Sequence, residues 1–278
     1  MPARGALHAV RAPTCAPSAD GPALPNSFAA WFARRGWQPR AHQIALLDAA
    51  RASRSTLLIA PTGAGKTLAG FLPTLVRLSS QPRPKAGAGL DTLYVSPLKA
   101  LAVDVARNLT TPISEMGLRI RTETRTGDTT SARRQRQRTR PPQILLTTPE
   151  QIALLLSHPD AAFLFADLKA VVIDELHALA GGKRGDLLSL DLARLRTLAP
   201  GVVTTGLSAT VAHPSELRAY LAAQDRPDEA TRLAELVVAS GGAEPRIEIL
   251  ELDEPVPWSG HSARYAMQQI HAAIASHR

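Results

Sequence analysis

The clearest chemistry in the sequence lies in the glycine-rich segment Ala60–Thr67, with the sequence APTGAGKT. A glycine-rich turn between an apolar run and a helical pattern points backbone N–H groups at phosphate oxygens. Gly63 and Gly65 allow a close approach of the backbone that a side chain would block. Lys66 is expected to reach the β and γ phosphates of a nucleotide, and the Thr67 hydroxyl to bind Mg²⁺. The segment therefore predicts a site for a nucleoside triphosphate with Mg²⁺.

Two adjacent acids, Asp174 and Glu175, follow the apolar run at 170–173. A carboxylate at the carboxyl end of a parallel strand faces the crevice where nucleotides bind. Asp174 is expected to hold Mg²⁺, mostly through water, and Glu175 to orient and deprotonate the attacking water. Two acids in a loop are by themselves more often a solvated cap, and a single histidine such as His177 is more often a surface residue. The phosphate-binding segment in the same predicted sheet favours the catalytic interpretation.

These residues need a scaffold, and the sequence predicts a mainly parallel α/β fold. Short apolar or β-branched runs alternate with longer helical patterns. The runs lie at 56–60, 92–96, 144–148, 170–174 and 202–208. Each run is nearly all apolar, as expected for a strand that is buried on both faces. Strands that alternate with helices indicate a parallel sheet covered by helices on both sides.

The amino-acid composition limits the classes of protein to which the chain can belong. The chain has 278 residues, 45% of them hydrophobic, with 32 Lys and Arg against 24 Asp and Glu. The positive charge suits a polyanionic partner, although an anionic membrane surface would fit it too. Cys15 is the only cysteine, which favours a reducing, cytoplasmic location, and no apolar run is long enough to span a membrane. Residues 1–26 are rich in Pro, Ala and Ser and predict a flexible lead-in.

Six segments occur in the order and spacing of the superfamily 2 helicase motifs. They are Gln43, Ala60–Thr67, Ser96–Ala100, Thr147–Glu150, Asp174–His177 and Ser208–Thr210. Other segments resemble the large helicase-related group, especially its bacterial ligase-associated DNA-repair branch: Trp37–Gln43, Thr126–Thr129, Lys183–Asp186 and Pro257–Ser262. The resemblance implies a RecA-like P-loop NTPase domain of the DEAD/DEAH-box type, acting on nucleic acid, with single-stranded DNA favoured.

The same resemblance implies roles for individual residues. The catalytic residues would be Lys66, Asp174 and Glu175, and the Mg²⁺ ligands would be Thr67 and Asp174. Nucleotide binding falls to Gln43, Thr62, Gly63, Ala64, Gly65, Lys66 and Thr67, with the Gln43 amide reading the adenine edge. The state of the γ phosphate would be coupled to domain movement by His177, Ser208 and Thr210. A nucleic-acid strand would lie along Ser96, Lys99, Arg125, Gly127, Thr148 and Glu150.

Simple physical considerations support part of the implied nucleic-acid track. Thr148 precedes a helical pattern at 150–156, so free backbone N–H groups and a capping hydroxyl are expected where a phosphate could dock. Lys99 follows a strand at the same predicted sheet edge as Lys66. The basic run at 133–140 could form a DNA-tracking stripe. Its near-alternate spacing fits a solvated surface helix equally well, so none of its arginines is assigned to the site.

The predicted organisation is a RecA-like domain at 27–254 and a linker, or the start of a second domain, at 255–278. By resemblance, a second RecA-like domain supplies the arginines that stabilise the transferring phosphoryl group, and no motif of such a domain occurs after Thr210. We therefore expect the chain to bind ATP–Mg²⁺ with little turnover. By resemblance, it would belong to a DNA-repair helicase of the 3′–5′ type that has ligase or nuclease partners. Two alternatives remain open: an RNA helicase or RNA-dependent ATPase, and a non-catalytic nucleic-acid-binding fragment.

Overall fold

The computed structural model describes residues 24–81, 89–209, 211–224, 232–239 and 266–276. The strands are β1 Thr56–Ile59, β2 Thr92–Val95, β3 Thr122–Arg125, β4 Ile144–Thr147, β5 Ala170–Ile173, β6 Val203–Ser208 and β7 Glu235–Val238. The helices are α1 Asn26–Arg34, α2 Ala41–Arg51, α3 Lys66–Ser80, α4 Lys99–Glu115, α5 Ser131–Thr139, α6 Pro149–Leu156, α7 Ala161–Phe165, α8 Leu176–Ala180, α9 Lys183–Leu198, α10 Pro214–Leu221 and α11 Met267–Ser276.

The strands form one seven-stranded sheet in the order β3-β4-β2-β5-β6-β1-β7, and every neighbouring pair is parallel. The five predicted strands are present as β1, β2, β4, β5 and β6. Strand β3 was not predicted, because its sequence TETR is polar. It lies at one edge of the sheet, where a strand does not need two apolar faces.

Helices cover both faces of the sheet, as the sequence predicts. Alternate side chains of each central strand enter opposite cores: in β5, Val171 and Ile173 belong to one core and Val172 to the other. The first core includes apolar residues of α6, α7, α8, α9 and α10. The second includes those of α1, α2, α3 and α4. Two cores explain why the central strands are apolar throughout.

The chain divides into two compact units, residues 1–240 and 241–278. All seven strands belong to the first unit, and α11 is the described helix of the second. The predicted boundary at 254–255 falls outside the described residues. The carboxyl ends of the parallel strands share one edge of the sheet, and the predicted site residues gather along it.

Candidate functional site

Three neighbouring strands end at the centre of the candidate site. Because β6 lies between β5 and β1, the sheet order brings together the loops that follow all three strands. Asp174 follows β5, Ser208 ends β6, and Ala60 follows β1. The Ala60 backbone N–H donates a hydrogen bond of 3.0 Å to the Ser208 carbonyl, which extends the β1–β6 ladder into the phosphate-binding loop. The sequence predicted these residues at strand ends, but not which strands are neighbours.

The phosphate-binding loop has the backbone conformation that its glycines permit. Gly63 and Gly65 have φ angles of 78° and 75°, in the left-handed region that favours glycine. Helix α3 begins at Lys66 directly after this turn, so the N–H groups of its first turn lack acceptors within the helix. The Lys66 Nζ donates to the carbonyl oxygens of Ala60 at 2.9 Å and Pro61 at 3.3 Å. The loop thus combines free N–H groups with a largely buried ammonium.

Helix α2 braces this loop from the other side. The His42 Nε2 atom lies 2.9 Å from the Ala64 carbonyl oxygen. The Gln43 side-chain oxygen accepts a hydrogen bond of 2.9 Å from the backbone N–H of Arg40. A Cβ atom added at Gly65 would lie 3.1 Å from the Gln43 Nε2 atom, so the amide packs directly against the glycine. Gln43 and the loop, separated in sequence, therefore form one surface.

A cavity of about 640 Å³ opens on that surface. Its volume lies within the range of small-ligand sites. Its lining includes Gln43, Gly63, Gly65 and Thr67 of the predicted set, together with Trp31, Phe32, Trp37, Arg40, Asn108 and Leu109. Sequence reasoning missed the last six as site residues. Trp37 and Arg40 stand in a segment that carried the family resemblance, but nothing in the sequence points to Asn108. Asp174 and Glu175 are not part of this lining.

Asp174 is enclosed, with 4% of its surface exposed. Its Oδ1 atom accepts a 3.0 Å hydrogen bond from the Glu175 backbone N–H, and its Oδ2 atom accepts one from the Tyr94 hydroxyl. Burial raises the pKa of Asp174, while the Tyr94 hydrogen bond and the nearby Lys66 ammonium lower it. Sequence reasoning also missed Tyr94 as a residue of the site. A single tyrosine within an apolar strand looks like an ordinary core residue.

A short relay connects Glu175 to the end of β6. Glu175 has a φ of 46°, a left-handed conformation that is uncommon outside glycine. The His177 Nδ1 atom lies 2.8 Å from the Ser208 hydroxyl and 3.5 Å from the Glu175 carboxylate. His177 and Ser208, which were predicted to couple nucleotide state to movement, are therefore in contact with each other. Thr210, predicted to act with them, lies outside the described residues.

The predicted nucleic-acid residues lie along the same edge of the sheet, after β2, β4 and β3. The Ser96 backbone N–H donates to the Thr147 carbonyl at 2.9 Å, and the Thr147 hydroxyl donates to the Arg125 carbonyl at 2.9 Å. The side chains of Ser96 and Arg125 are buried, while Lys99 is exposed and pairs with Asp128 at 2.9 Å. Gly127 precedes Asp128 in the loop after β3. The six residues thus form a continuous edge, but they do not all reach its surface.

The prediction that the Thr148 hydroxyl caps α6 is wrong. Thr148 occupies the N-cap position, but its side chain accepts no hydrogen bond from the helix. The hydroxyl instead donates to the Glu150 carboxylate, which helps to lower the pKa of that acid after burial has raised it. Glu150 also pairs with Arg184 at 2.5 Å, and this ion pair holds the carboxylate within reach of the hydroxyl. The Glu150 carboxylate also accepts a hydrogen bond from its own backbone N–H, so this acid, rather than Thr148, occupies the first turn of α6.

Three comparisons relate this geometry to known proteins. The family model for the DEAD/DEAH box helicase matches residues 40–217. The Lhr helicase/probable uracil glycosylase of Mycolicibacterium smegmatis is 41% identical over 205 residues, which are 70% of this chain and 14% of that protein. The ATP-dependent helicase Lhr-Core of Methanothermobacter thermautotrophicus is 41% identical over 198 residues, 67% of this chain and 23% of that protein. The chain thus spans less than a quarter of the length of either relative.

A solved structure gives the same relationship in three dimensions. The structure of Mycobacterium smegmatis helicase Lhr bound to ssDNA and AMP-PNP superposes with a TM-score of 0.71 at 34% identity, covering 91% of this chain and 33% of that one. The predicted RecA-like fold and the predicted resemblance to the large helicase-related group are confirmed. No helix in the described ranges is long and apolar enough to cross a bilayer. With the family model matching more than half of its length, the chain belongs to the DEAD/DEAH box helicase family.

Proposed function

We propose that this chain is the first RecA-like motor domain of an ATP-dependent DNA helicase. One observation carries the proposal: the ends of β5, β6 and β1 bring a buried carboxylate, a relay and a phosphate-binding loop to one crevice. The Lys66 ammonium is close enough to lower the pKa of Asp174, although the two residues are far apart in sequence. A glycine-rich turn by itself would not require such an arrangement, whereas binding of a nucleotide with its metal ion does.

The residues fit ATP–Mg²⁺. The cavity beside Gln43 would take the nucleoside, and the first turn of α3 with Lys66 would hold the phosphates. The Thr67 hydroxyl and the Asp174 carboxylate are oxygen ligands, and Mg²⁺ is usually held by one or two such protein groups together with phosphate oxygens. The metal would neutralise charge on the phosphates. Glu175, next to Asp174 and partly exposed, would accept the proton of the attacking water.

The relay gives the site a way to respond to the γ phosphate. A water or phosphate that contacts Glu175 would also influence His177, whose ring lies 2.8 Å from the Ser208 hydroxyl. Ser208 in turn is tied to the loop through the Ala60–Ser208 hydrogen bond. We infer that Glu175, His177 and Ser208, with Thr210 by resemblance, couple nucleotide state to the movement of a second motor domain.

For the nucleic-acid partner we propose single-stranded DNA, along the edge that runs from Lys99 to Thr148. The mycobacterial Lhr structure was determined with ssDNA bound, and that protein covers 91% of this chain at 34% identity. The exposed ammonium of Lys99 is suited to a phosphate group. By resemblance we also propose a role in DNA repair with ligase or nuclease partners. An RNA substrate is the alternative.

The proposal is tested by measuring nucleotide and nucleic-acid binding to this 278-residue chain. Fluorescence anisotropy with labelled single-stranded DNA and RNA of equal length would show tighter binding to DNA. Lys66→Ala should abolish ATP binding but leave DNA affinity largely unchanged. Because the resemblance assigns the stabilising arginines to a second domain, DNA-stimulated hydrolysis by this chain should be weak; such an arginine contributes about 10³–10⁵ in rate. Tighter binding to RNA, or brisk hydrolysis by this chain alone, would refute the corresponding part of the proposal.

A further inference from the structure

The arginines of α5 fall into two groups according to their contacts. Arg133 and Arg136 face β3, where their guanidinium groups lie 3.2 and 3.1 Å from the Glu123 carboxylate. The Gln137 amide donates to the same carboxylate at 3.0 Å. These three bonds lower the pKa of Glu123 despite its partial burial, so it is ionised at neutral pH. This half of the basic run is neutralised and serves to hold α5 on the edge strand.

The second group consists of Arg125, Arg134 and Arg138, which we call the arginine cluster. Arg125 has 6% of its surface exposed, and its Nη1 atom lies 3.4 Å from the Arg134 carbonyl oxygen. Arg134 donates through Nη2 to the Gly127 carbonyl at 2.8 Å. The Nε atoms of all three are buried and, among the described residues, have no hydrogen-bond partner. Three guanidinium groups thus share a region in which part of their hydrogen-bonding capacity is unused.

The charge of the arginine cluster is uncompensated by any carboxylate that the described residues bring into contact with it. Burial, together with repulsion from Arg134 and Arg138, lowers the pKa of Arg125 to about 10. Arg125 nevertheless remains protonated at neutral pH. Burying like charges together is unfavourable, and an anion placed among them removes that cost. A bound anion would therefore stabilise the arginine cluster.

The arginine cluster lies beside the proposed nucleic-acid edge. Arg125 ends β3 and is in register with Thr147, one residue before Thr148. Arg134 holds the loop that contains Gly127, the loop that also pairs with Lys99 through Asp128. Arg134 and Arg138 are four residues apart on α5, so their side chains lie on one face of the helix, and both are partly exposed.

We propose that Arg134 and Arg138, with Arg125 beneath them, form a binding site for a phosphate group. The guanidinium fork matches the geometry of phosphate oxygens, and the partly exposed ends of Arg134 and Arg138 would make the contact. Arg125 contributes charge from below. The inference rests on the proposed function in one respect: the expected source of the phosphate is the backbone of bound single-stranded DNA, beyond the contacts at Lys99 and Thr148. Free inorganic phosphate is the other source of the same chemistry.

The first test is the salt dependence of single-stranded DNA binding by the wild type, Arg138→Gln and Arg136→Gln. Both variants remove one positive charge from the same helix, but Arg136 pairs with Glu123. Each phosphate contact on a single strand contributes about 0.7 to the slope of log K against log salt. Arg138→Gln should make this negative slope shallower by about that amount, so the variant weakens binding about 2–3-fold more at 50 mM than at 200 mM salt. Arg136→Gln should leave the slope unchanged. Equal slopes for both variants would overturn the site.

The second test needs no nucleic acid. Thermal unfolding is measured in sodium phosphate and in sodium chloride of equal ionic strength, in a Lys66→Ala background so that the phosphate-binding loop does not contribute. If the site accepts free phosphate, Tm rises in phosphate and Arg138→Gln loses this increment, whereas Arg136→Gln keeps it. In chloride at low salt, Arg138→Gln should unfold at a higher temperature than its background, because it relieves repulsion.

The two tests separate the outcomes. If the chain binds no single-stranded DNA but phosphate stabilises it through Arg138, the proposed DNA partner fails and the phosphate site stands. If Arg138 determines the salt slope without any effect of free phosphate, the site is specific for the nucleic-acid backbone. If neither measurement depends on Arg138, or if Arg138→Gln lowers Tm in chloride as much as Arg136→Gln does, the arginine cluster is a structural element and the inference is wrong.

Discussion

Replacing Tyr94 by phenylalanine removes a single hydroxyl from the metal side of the proposed site. The ring of Tyr94 is fully buried and stacks on Phe71 with centroids 4.8 Å apart, so a phenylalanine ring can occupy the same space. Its hydroxyl donates to the Oδ2 atom of Asp174. Burial beside this acid raises the pKa of the tyrosine, which therefore stays a donor at every accessible pH. The substitution thus deletes one hydrogen bond to a buried carboxylate and little else.

The magnitude follows from the charge of the acceptor. A hydrogen bond to an ionised group contributes about 1.5–3 kcal/mol to stability, and a partner that orients a metal-binding carboxylate typically contributes about 10–100-fold in metal affinity. These two figures agree, because tenfold corresponds to about 1.4 kcal/mol. The Tyr94 bond lowers the pKa of Asp174, so its loss raises that pKa further. Since Mg²⁺ needs the ionised carboxylate, Mg²⁺-dependent ATP binding in Tyr94→Phe should also require a higher pH than in the wild type.

The assay is calorimetric titration of Mg²⁺–ATP between pH 5.5 and 8.5, with urea unfolding in parallel. Tyr220→Phe is the matched control, because the Tyr220 hydroxyl donates at 2.7 Å to the Gly185 carbonyl, outside the proposed site. It should cost about 0.5–1.5 kcal/mol of unfolding free energy and leave ATP affinity unchanged. Wild-type ATP affinity and pH dependence in Tyr94→Phe would refute the role given to Asp174.

Two further predictions concern the loop and a buried acid. Gly65→Ala introduces a Cβ atom 3.1 Å from the Gln43 Nε2 atom, at a φ of 75°. In the control Gly117→Ala, φ is 63° and the added Cβ atom meets open space. Both variants should lose about 1–2 kcal/mol of unfolding free energy in urea, but only Gly65→Ala should lose ATP binding. Burial raises the pKa of Asp191 from 3.8 to about 6, so its contribution to stability is present below pH 3.8 and is lost as the pH rises through 6. The unfolding free energy of Asp191→Asn should therefore rise by about 1–3 kcal/mol relative to that of the wild type as the pH increases from about 4 to about 7.5. A difference between the two proteins that does not depend on pH would contradict this prediction.

The sequence predicted the parts of the fold that depend on local patterns. Strands buried on both faces are apolar, so five were recognisable, whereas β3 is a polar edge strand and was missed. Missing β3 also hid Glu123, and without that acid the arginines of α5 could not be divided into paired and unpaired groups. The capping role of Thr148 failed because the competing acceptor, Glu150, is held by an arginine from a distant helix.

The site was predictable where motifs carry their own geometry. The glycines of the loop require left-handed turns, and the structure has them at Gly63 and Gly65. Residues whose role arises only from tertiary packing were not predictable: Tyr94 reaches Asp174 across neighbouring strands, and Asn108 lines the cavity from α4. Gln43 was placed against the loop only by resemblance, because no local rule brings α2 beside Gly65.

The most direct measurement is calorimetric titration of this chain with ATP in the presence and absence of Mg²⁺, for the wild type, Lys66→Ala and Lys169→Ala. Lys169 is an exposed lysine just before β5, at the opposite end of the strands from the proposed site. We predict one ATP bound per chain, tighter with Mg²⁺, lost in Lys66→Ala and retained in Lys169→Ala. Absence of binding by the wild type, or equal binding by all three proteins, would contradict an ATP–Mg²⁺ site at the ends of β1, β6 and β5.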